Sequence, residues 1–238
     1  MKSIIVTGAS SGIGRAVAEN FVAAGWRVGA LARRAGPLED IAGADPLVCD
    51  VTDAAAVDAA FDGFAARAGR LDVLFNNAGM FGKQGTIDEI SLSDWQQVVD
   101  VNLTGMFLCA RAAFRLMRAQ DPQGGRIINN GSISAHTPRE GSTCYTTTKH
   151  GVSGLTKTLS LDGRAFDIAA GQIDIGNART DLVVGLEKTR AEQGLEPLPS
   201  MDVSHVAEAV LSMASLPPEA NVQSMMIMAT KMPHIGRG

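Results

Sequence analysis

Three glycines set the limits on what this chain can fold into. They lie in Thr7-Gly8-Ala9-Ser10-Ser11-Gly12-Ile13-Gly14, directly after the β-branched run Ser3–Thr7 and at the head of a helical pattern over Ile13–Ala24. A strand that turns into a helix on such glycines has a defined use. Gly8 permits the tight turn, Gly12 lets the backbone approach a pyrophosphate, and Gly14 lets helix and strand pack closely. The helix start then presents unpaired N–H groups and the positive end of its dipole to an anion. Ser10, Ser11 and Ile13 fall in the same turn and share that reading. A plain glycine turn is the alternative, and the flanking strand and helix favour the nucleotide.

The same alternation continues downstream. Apolar, non-alternating runs at Ser3–Thr7, Arg27–Leu31, Pro46–Cys49, Val73–Phe75, Arg126–Asn130, Ile168–Ile173 and Val222–Met228 read as buried parallel strands. Helical patterns occupy Ile13–Ala24, Asp53–Ala68, Ser93–Ala119 with Ser93 as N-cap, Cys144–Leu161 and Val203–Ala214. The expectation is an α/β fold of the doubly wound Rossmann type, a seven-stranded parallel sheet with helices on both faces. All 238 residues fit a single domain, and 45% hydrophobic against 19% charged residues supply its core. Asp121-Pro122-Gln123-Gly124-Gly125 reads as the turn that stops the long helix. Thr180–Ser200, broken by Gly185, Gly194, Pro197 and Pro199, reads as the least regular stretch. Ligands in such sheets bind beyond the carboxyl ends of the strands, so residues 180–200 are expected to cover a substrate.

The end of the second strand, Ala30-Leu31-Ala32-Arg33-Arg34, speaks to the nucleotide. An acid is expected near this point to bond a ribose 2′-hydroxyl, and Ala32, 18 residues after Gly14, has no carboxylate. The guanidinium groups of Arg33 and Arg34 suit a 2′-phosphate. NADP(H) is therefore expected ahead of NAD(H), against the alternative of two arginines on a solvated strand end.

Four further features follow in order: Asn76-Asn77-Ala78-Gly79 at the close of the fourth strand, Asn102 in Val101-Asn102-Leu103-Thr104-Gly105, Ser132 after the fifth strand, and Tyr145-Thr146-Thr147-Thr148-Lys149 thirteen residues beyond Ser132. With the glycine turn, this order resembles the short-chain dehydrogenase/reductase family along nearly the whole chain. The residues make chemical sense by themselves. Tyr145 and Lys149 lie one helical turn apart and share a face. A free phenol ionises near pH 10, and a nearby ammonium favours the phenolate. Tyr145 is the one tyrosine in the chain, which leaves a single phenolic candidate.

The resemblance implies a mechanism. NADPH would pass a hydride to a carbonyl carbon while Tyr145 protonates the oxygen. Ser132 would orient that oxygen, Lys149 would bond the nicotinamide ribose, and Asn102 would hold a water linking Lys149 to solvent. Asp50 and Val51 would contact adenine, and Asn76, Ala78, Gly79, Gly176, Ala178 and Thr180 would lie along the cofactor. It further implies a small carbonyl or alcohol substrate and a homotetramer or homodimer joined through Asp94–Ala119 and Cys144–Leu161.

The chain departs from the family pattern at Thr148, where serine is frequent, and at Ile175-Gly176-Asn177-Ala178-Arg179-Thr180, where Ile175 replaces a proline. Loss of the proline is expected to loosen that turn. Met225, Met226, Met228 and Met232 read as strand core or as an adaptable pocket or interface. Cys144 reads as a packed thiol or a pocket wall. His136 and Arg139 read as loop charges or as a seat for a substrate carboxylate.

Other classes recede. Twenty-one basic against 25 acidic residues give a net charge of −4, which offers nothing to nucleic acid. Three unpaired-looking cysteines, scattered histidines and the lack of any long apolar run predict a cytoplasmic chain without a metal site or membrane span. A non-catalytic cofactor sensor on the same fold is the competing function. An epimerase or dehydratase would need a substrate domain for which the length leaves little room.

Overall fold

The computed structural model describes residues 1–192 and 194–235. Gln193, within the expected cover segment, lies outside the described residues. In chain order the elements are β1 (Ser3–Thr7), α1 (Gly12–Ala23), β2 (Arg27–Ala32), α2 (Gly36–Glu39), β3 (Ala44–Val48), α3 (Ala54–Ala68), β4 (Val73–Asn76), α4 (Leu92–Val99), a π-helical segment (Asp100–Gly105), α5 (Met106–Ala119), β5 (Gly125–Asn130), α6 (Thr143–Gly163), β6 (Ile168–Ile175), β7 (Ala178–Arg179), α7 (Asp181–Glu192), β8 (Met201–Asp202), α8 (Val203–Ser215) and β9 (Ser224–Ile227).

Seven strands form one sheet in the order β3-β2-β1-β4-β5-β6-β9. Every pairing is parallel. Successive strand residues point to opposite faces, so each strand feeds two cores. Ile4 and Val6 meet Val17 and Phe21 of α1 and Val206 and Val210 of α8 on one face. Ile5, Leu74 and Ile127 meet Phe61 and Phe64 of α3 and Cys109, Ala113 and Met117 of α5 on the other. Gly29 makes room for this second core, because a Cβ there would lie 2.8 Å from Leu47 Cδ1 and 2.9 Å from Phe64 Cδ2. Strand order reverses between β1 and β4, and the crevice beyond their carboxyl ends is where such sheets take ligands.

Local chemistry sets the boundaries. Asp53 caps α3 by accepting from the N–H groups of Ala55 and Ala56 at 2.9 and 3.0 Å, and Gly69 closes it at φ 84°. All three cysteines are buried free thiols.

Several expectations are corrected. The long helix starts at Leu92, not Ser93, because the Ser91 hydroxyl accepts the Asp94 N–H at 3.1 Å and is the N-cap. Its middle is π-helical around Asn102. Thr180–Ser200 is not irregular throughout: Asp181–Glu192 is helical, with its glycines and prolines at or beyond the last turn save Gly185. The run after the sixth strand is not loose. Without proline, β6 continues to Ile175, which pairs with Ile227, and Gly176 N–H donates to Ile227 O at 2.9 Å. The methionines are not uniform core: β9 is an edge strand on which Met226 is exposed, Met225 is half-buried, and the Met232 sulfur accepts from Asn177 N–H at 3.4 Å.

One buried cation fastens the far edge. Arg126 at the start of β5 donates to Asn221 Oδ1 and Ala220 O, both at 2.8 Å, and to Pro217 O at 3.3 Å. Replacing it removes these charge-assisted hydrogen bonds, which hold the segment leading into β9. Arg126→Ala is expected to lower stability by about 2–3 kcal/mol, read from the urea unfolding midpoint; an unchanged midpoint would remove Arg126 from this role.

Candidate active site

The crevice between β1 and β4 is built by close backbone approach. Gly8 at φ 69° and Gly12 at φ 55° occupy the left-handed region that favours glycine. A Cβ on Gly8 would lie 2.9 Å from Ala78 Cα, and one on Gly14 would overlap Gly8 O and come within 2.7 Å of Asn77 Nδ2. The Thr7 hydroxyl accepts the N–H groups of Asn77 and Ala78 at 2.8 and 2.9 Å, and Asn77 Nδ2 returns a bond to Thr7 O at 2.9 Å. Ser11 is the N-cap residue of α1, yet its side chain makes no cap hydrogen bond. The first N–H groups of α1 are thus left for an anion, as a pyrophosphate needs.

Two cavities open here and share Gly8, Ser11, Ala78, Gly79 and Met80. One, of about 340 Å³, adds Ser10, Ala32, Arg33, Arg34, Asp50 and Val51. The other, of about 300 Å³, adds Gly12, Ile13, Gly14, Tyr145, Lys149 and Thr180. Together they make one groove that runs from Arg33 and Arg34 past the glycine turn to Tyr145 and Lys149. At the first end, Arg34 Nη2 lies 3.5 Å from Ser10 Oγ. The Thr52 N–H holds the Asp50 carboxyl below its usual range, helped by the Thr52 hydroxyl and the charge of Arg33 against the opposing effect of burial. Beside it, burial and the charges of Asp50 and Asp53 push the Cys49 thiol up to about 11.

At the second end, α6 carries Tyr145 and Lys149. Lys149 is buried, its Nζ donates to Asn130 O at 2.8 Å, and it stands 5.4 Å from the centroid of the Tyr145 ring. Phe81 stacks on that ring with centroids 4.7 Å apart. Thr180 closes on the turn, its Cγ2 3.3 Å from where a Gly12 Cβ would stand. Asn102 is fully buried in the π-helical segment; its Oδ1 accepts Met80 N–H and its Nδ2 donates to Met80 O, both at 2.8 Å.

Ser132 follows β5 and is held from beneath. Its N–H donates to Asp174 Oδ1 at 2.8 Å, and its hydroxyl accepts Ser134 N–H at 3.1 Å. The Asp174 carboxylate, buried on β6, also accepts from Gln172 Nε2 at 2.7 Å and bonds His136 Nε2 at 2.9 Å. A Cβ on Gly131 would collide with Asp174 Oδ1, so glycine is what lets the backbone wrap that carboxylate.

The other expected residues divide. Asn76 lines neither cavity; its amide donates to Met106 O at 2.7 Å and Asn129 Oδ1 at 3.2 Å, beneath the groove. Gly176 packs against Met228 and Met232, and Ala178 is buried in the β7–β8 pair, so neither lines the groove. Cys144 is a packed thiol. Asn77, Met80, Phe81 and Asn130 also line the groove. Strand alternation was the available signal for Asn77: neighbours at a strand end face opposite sides, so one of Asn76 and Asn77 had to turn toward the crevice.

The profile described as short chain dehydrogenase matches residues 2–191. The chain is 36% identical over 212 residues to a 3beta-hydroxysteroid dehydrogenase of Mediterraneibacter gnavus, covering 83% of this chain and 76% of that one. It is 30% identical over 243 residues to a serine 3-dehydrogenase of Agrobacterium fabrum, covering 95% and 93%. Its structure is similar to that of a 3-ketoacyl-(acyl-carrier-protein) reductase from Brucella melitensis complexed with NADH, with a TM-score of 0.86, 25% identity and coverage of 96% and 97%. Crevice, turn and relatives agree: the chain belongs to the short-chain dehydrogenase/reductase family of NAD(P)-dependent oxidoreductases that act on CH–OH groups.

Proposed function

We propose that this chain interconverts a carbonyl compound and a secondary alcohol with NADP(H), and that Tyr145 carries the proton. The supporting observation is that Tyr145 and Lys149 line the same cavity as the glycine turn. A bound nicotinamide cofactor supplies or accepts the hydride; the rest falls to side chains. In reduction the Tyr145 hydroxyl donates its proton to the carbonyl oxygen, and in oxidation the phenolate takes a proton back. The Lys149 ammonium faces that ring, and its anchor on Asn130 O leaves further N–H groups for a ribose. Ser132 orients the carbonyl oxygen by its hydroxyl. The Asn102 amide is engaged with Met80, so a water link from Lys149 to solvent falls to the main chain of the π-helical segment.

The NADP(H) preference rests on Arg33 and Arg34 beside Ala32 in one cavity. Residues 180–200 serve as the cover, with Thr180 against the turn and the Asn177 amide donating to Pro199 O at 3.1 Å. A homodimer or homotetramer forms through α5 and α6, where Phe107 and Leu161 are exposed. The free, buried cysteines suit the reducing cytoplasm.

Tyr145→Phe is expected to lower kcat at least about 100-fold in carbonyl-dependent NADPH oxidation while NADPH still binds in a fluorescence titration; retained turnover refutes the role. The KM for NADPH should lie below that for NADH, and Arg33→Ala should raise the NADPH value about tenfold; equal or better use of NADH removes the preference. Sedimentation velocity should return a dimer or tetramer that Phe107→Glu weakens, and a monomeric native chain would count against the α5–α6 contact.

A further inference from the structure

A third cavity, of about 520 Å³, shares no lining residue with the cofactor groove. It opens beside the turn that carries Ser132, at the carboxyl ends of β5 and β6. Ile133, Leu198 and Met232 give it apolar walls. Arg139, Arg190 and Lys231 give it three fixed positive charges, with Glu196 the one carboxylate in its lining.

These cations differ from the ion-paired ones on the surface. Arg15, Arg27, Arg70, Arg111, Arg115 and Arg179 each stand within 4.0 Å of a carboxylate oxygen. Among the described residues, Arg139, Arg190 and Lys231 have no such ion pair. Two of them are held by neutral acceptors, which fix a guanidinium without cancelling its charge. Arg139 Nη2 donates to Asn177 Oδ1 at 3.1 Å, and Arg190 Nε donates to Glu196 O at 2.9 Å. Two acids of neighbouring elements are engaged elsewhere: Asp174 by Ser132, Gln172 and His136, and Glu187 by Arg179 and Ser200. In a chain of net charge −4, three cations against one carboxylate over apolar walls leave this cavity an excess of positive charge that selects an amphipathic anion.

We propose that this cavity is the distal part of the substrate site and seats an oxyanion, a carboxylate in the first instance, borne by the carbonyl substrate. The inference rests on the carbonyl-reducing reading of Tyr145 and names the class of its substrate. The loop from Ser132 to Tyr145 connects the two ends: Arg139 is part of it, and the Ser142 hydroxyl, three residues before Tyr145, donates to Arg139 O at 2.6 Å. The substrate body then lies on Ile133, Leu198 and Met232, with its carbonyl toward Tyr145 and its anion toward Arg139 and Lys231.

The test uses levulinate and its methyl ester with the full-length enzyme at saturating NADPH, with inorganic phosphate as competitor. Native enzyme should have the higher kcat/KM for the acid. Arg139→Ala and, separately, Lys231→Gln should each lower the acid-to-ester ratio about tenfold, through KM. Phosphate inhibition far stronger than that by acetate assigns the seat to a phosphoryl group of the substrate; similar inhibition by both assigns it to a carboxylate. An acid-to-ester ratio that neither variant changes overturns the anion seat and leaves the reductase reading standing. No turnover of either compound, with calorimetric binding of levulinate that Arg139→Ala abolishes, supports the seat and counts against the reductase reading. Absence of levulinate binding to the native enzyme overturns the seat.

Discussion

Thr7 holds the crevice together. Its hydroxyl accepts the N–H groups of Asn77 and Ala78 while its carbonyl accepts the Asn77 amide, so the ends of β1 and β4 are joined at one side chain. That joint brings Ala78 to Gly8 and Asn77 to Gly14 at distances no Cβ would tolerate. The groove is therefore shaped by backbone, and its glycines are the residues whose absence of a side chain is used. Were the joint to open, the mouth of the cofactor site would lose one wall and the start of α1 its support.

A second pattern extends from it. Two successive asparagines stand at the close of β4 (Asn76 and, just beyond it, Asn77) and of β5 (Asn129 and Asn130), and strand alternation sends the pairs to different work. Asn76 and Asn129 bond each other and reach the helices, through Met106 O and Thr156 Oγ1. Asn77 and Asn130 bond each other on the groove side at 2.7 Å, and Asn130 O receives Lys149 Nζ. The polar groups at this end of the sheet are thus hydrogen-bonded in two layers, and the upper layer fixes the ammonium facing Tyr145. Buried amides paired in this way are stiff, which suits a site whose geometry has to be preset.

Much of this was legible in the sequence because it depends on neighbours along the chain. The glycine turn, the i and i+4 spacing of Tyr145 and Lys149, and β1 at Ser3–Thr7 are local signals that the fold leaves in place. What the sequence did not disclose depends on distant partners. Nothing near Asp174 announces that Ser132 N–H and His136 will converge on it from 42 and 38 positions away. Asn76 matched a family position, yet only the face it takes in β4 shows that it lies beneath the groove. Helix α7 was hidden by Gly194, Pro197 and Pro199, which mark its end rather than its absence.

The π-helical segment at Asp100–Gly105 adds a consequence for reading helices of this kind. An α-helix advances about 100° per residue, and a π-turn accommodates one residue more, so the faces on either side fall out of phase. Periodicity taken across Ser93–Ala119 as one unit averages two registers. α4 and α5 behave as two gears on a common shaft, set out of phase, with Asn102 occupying the offset between them.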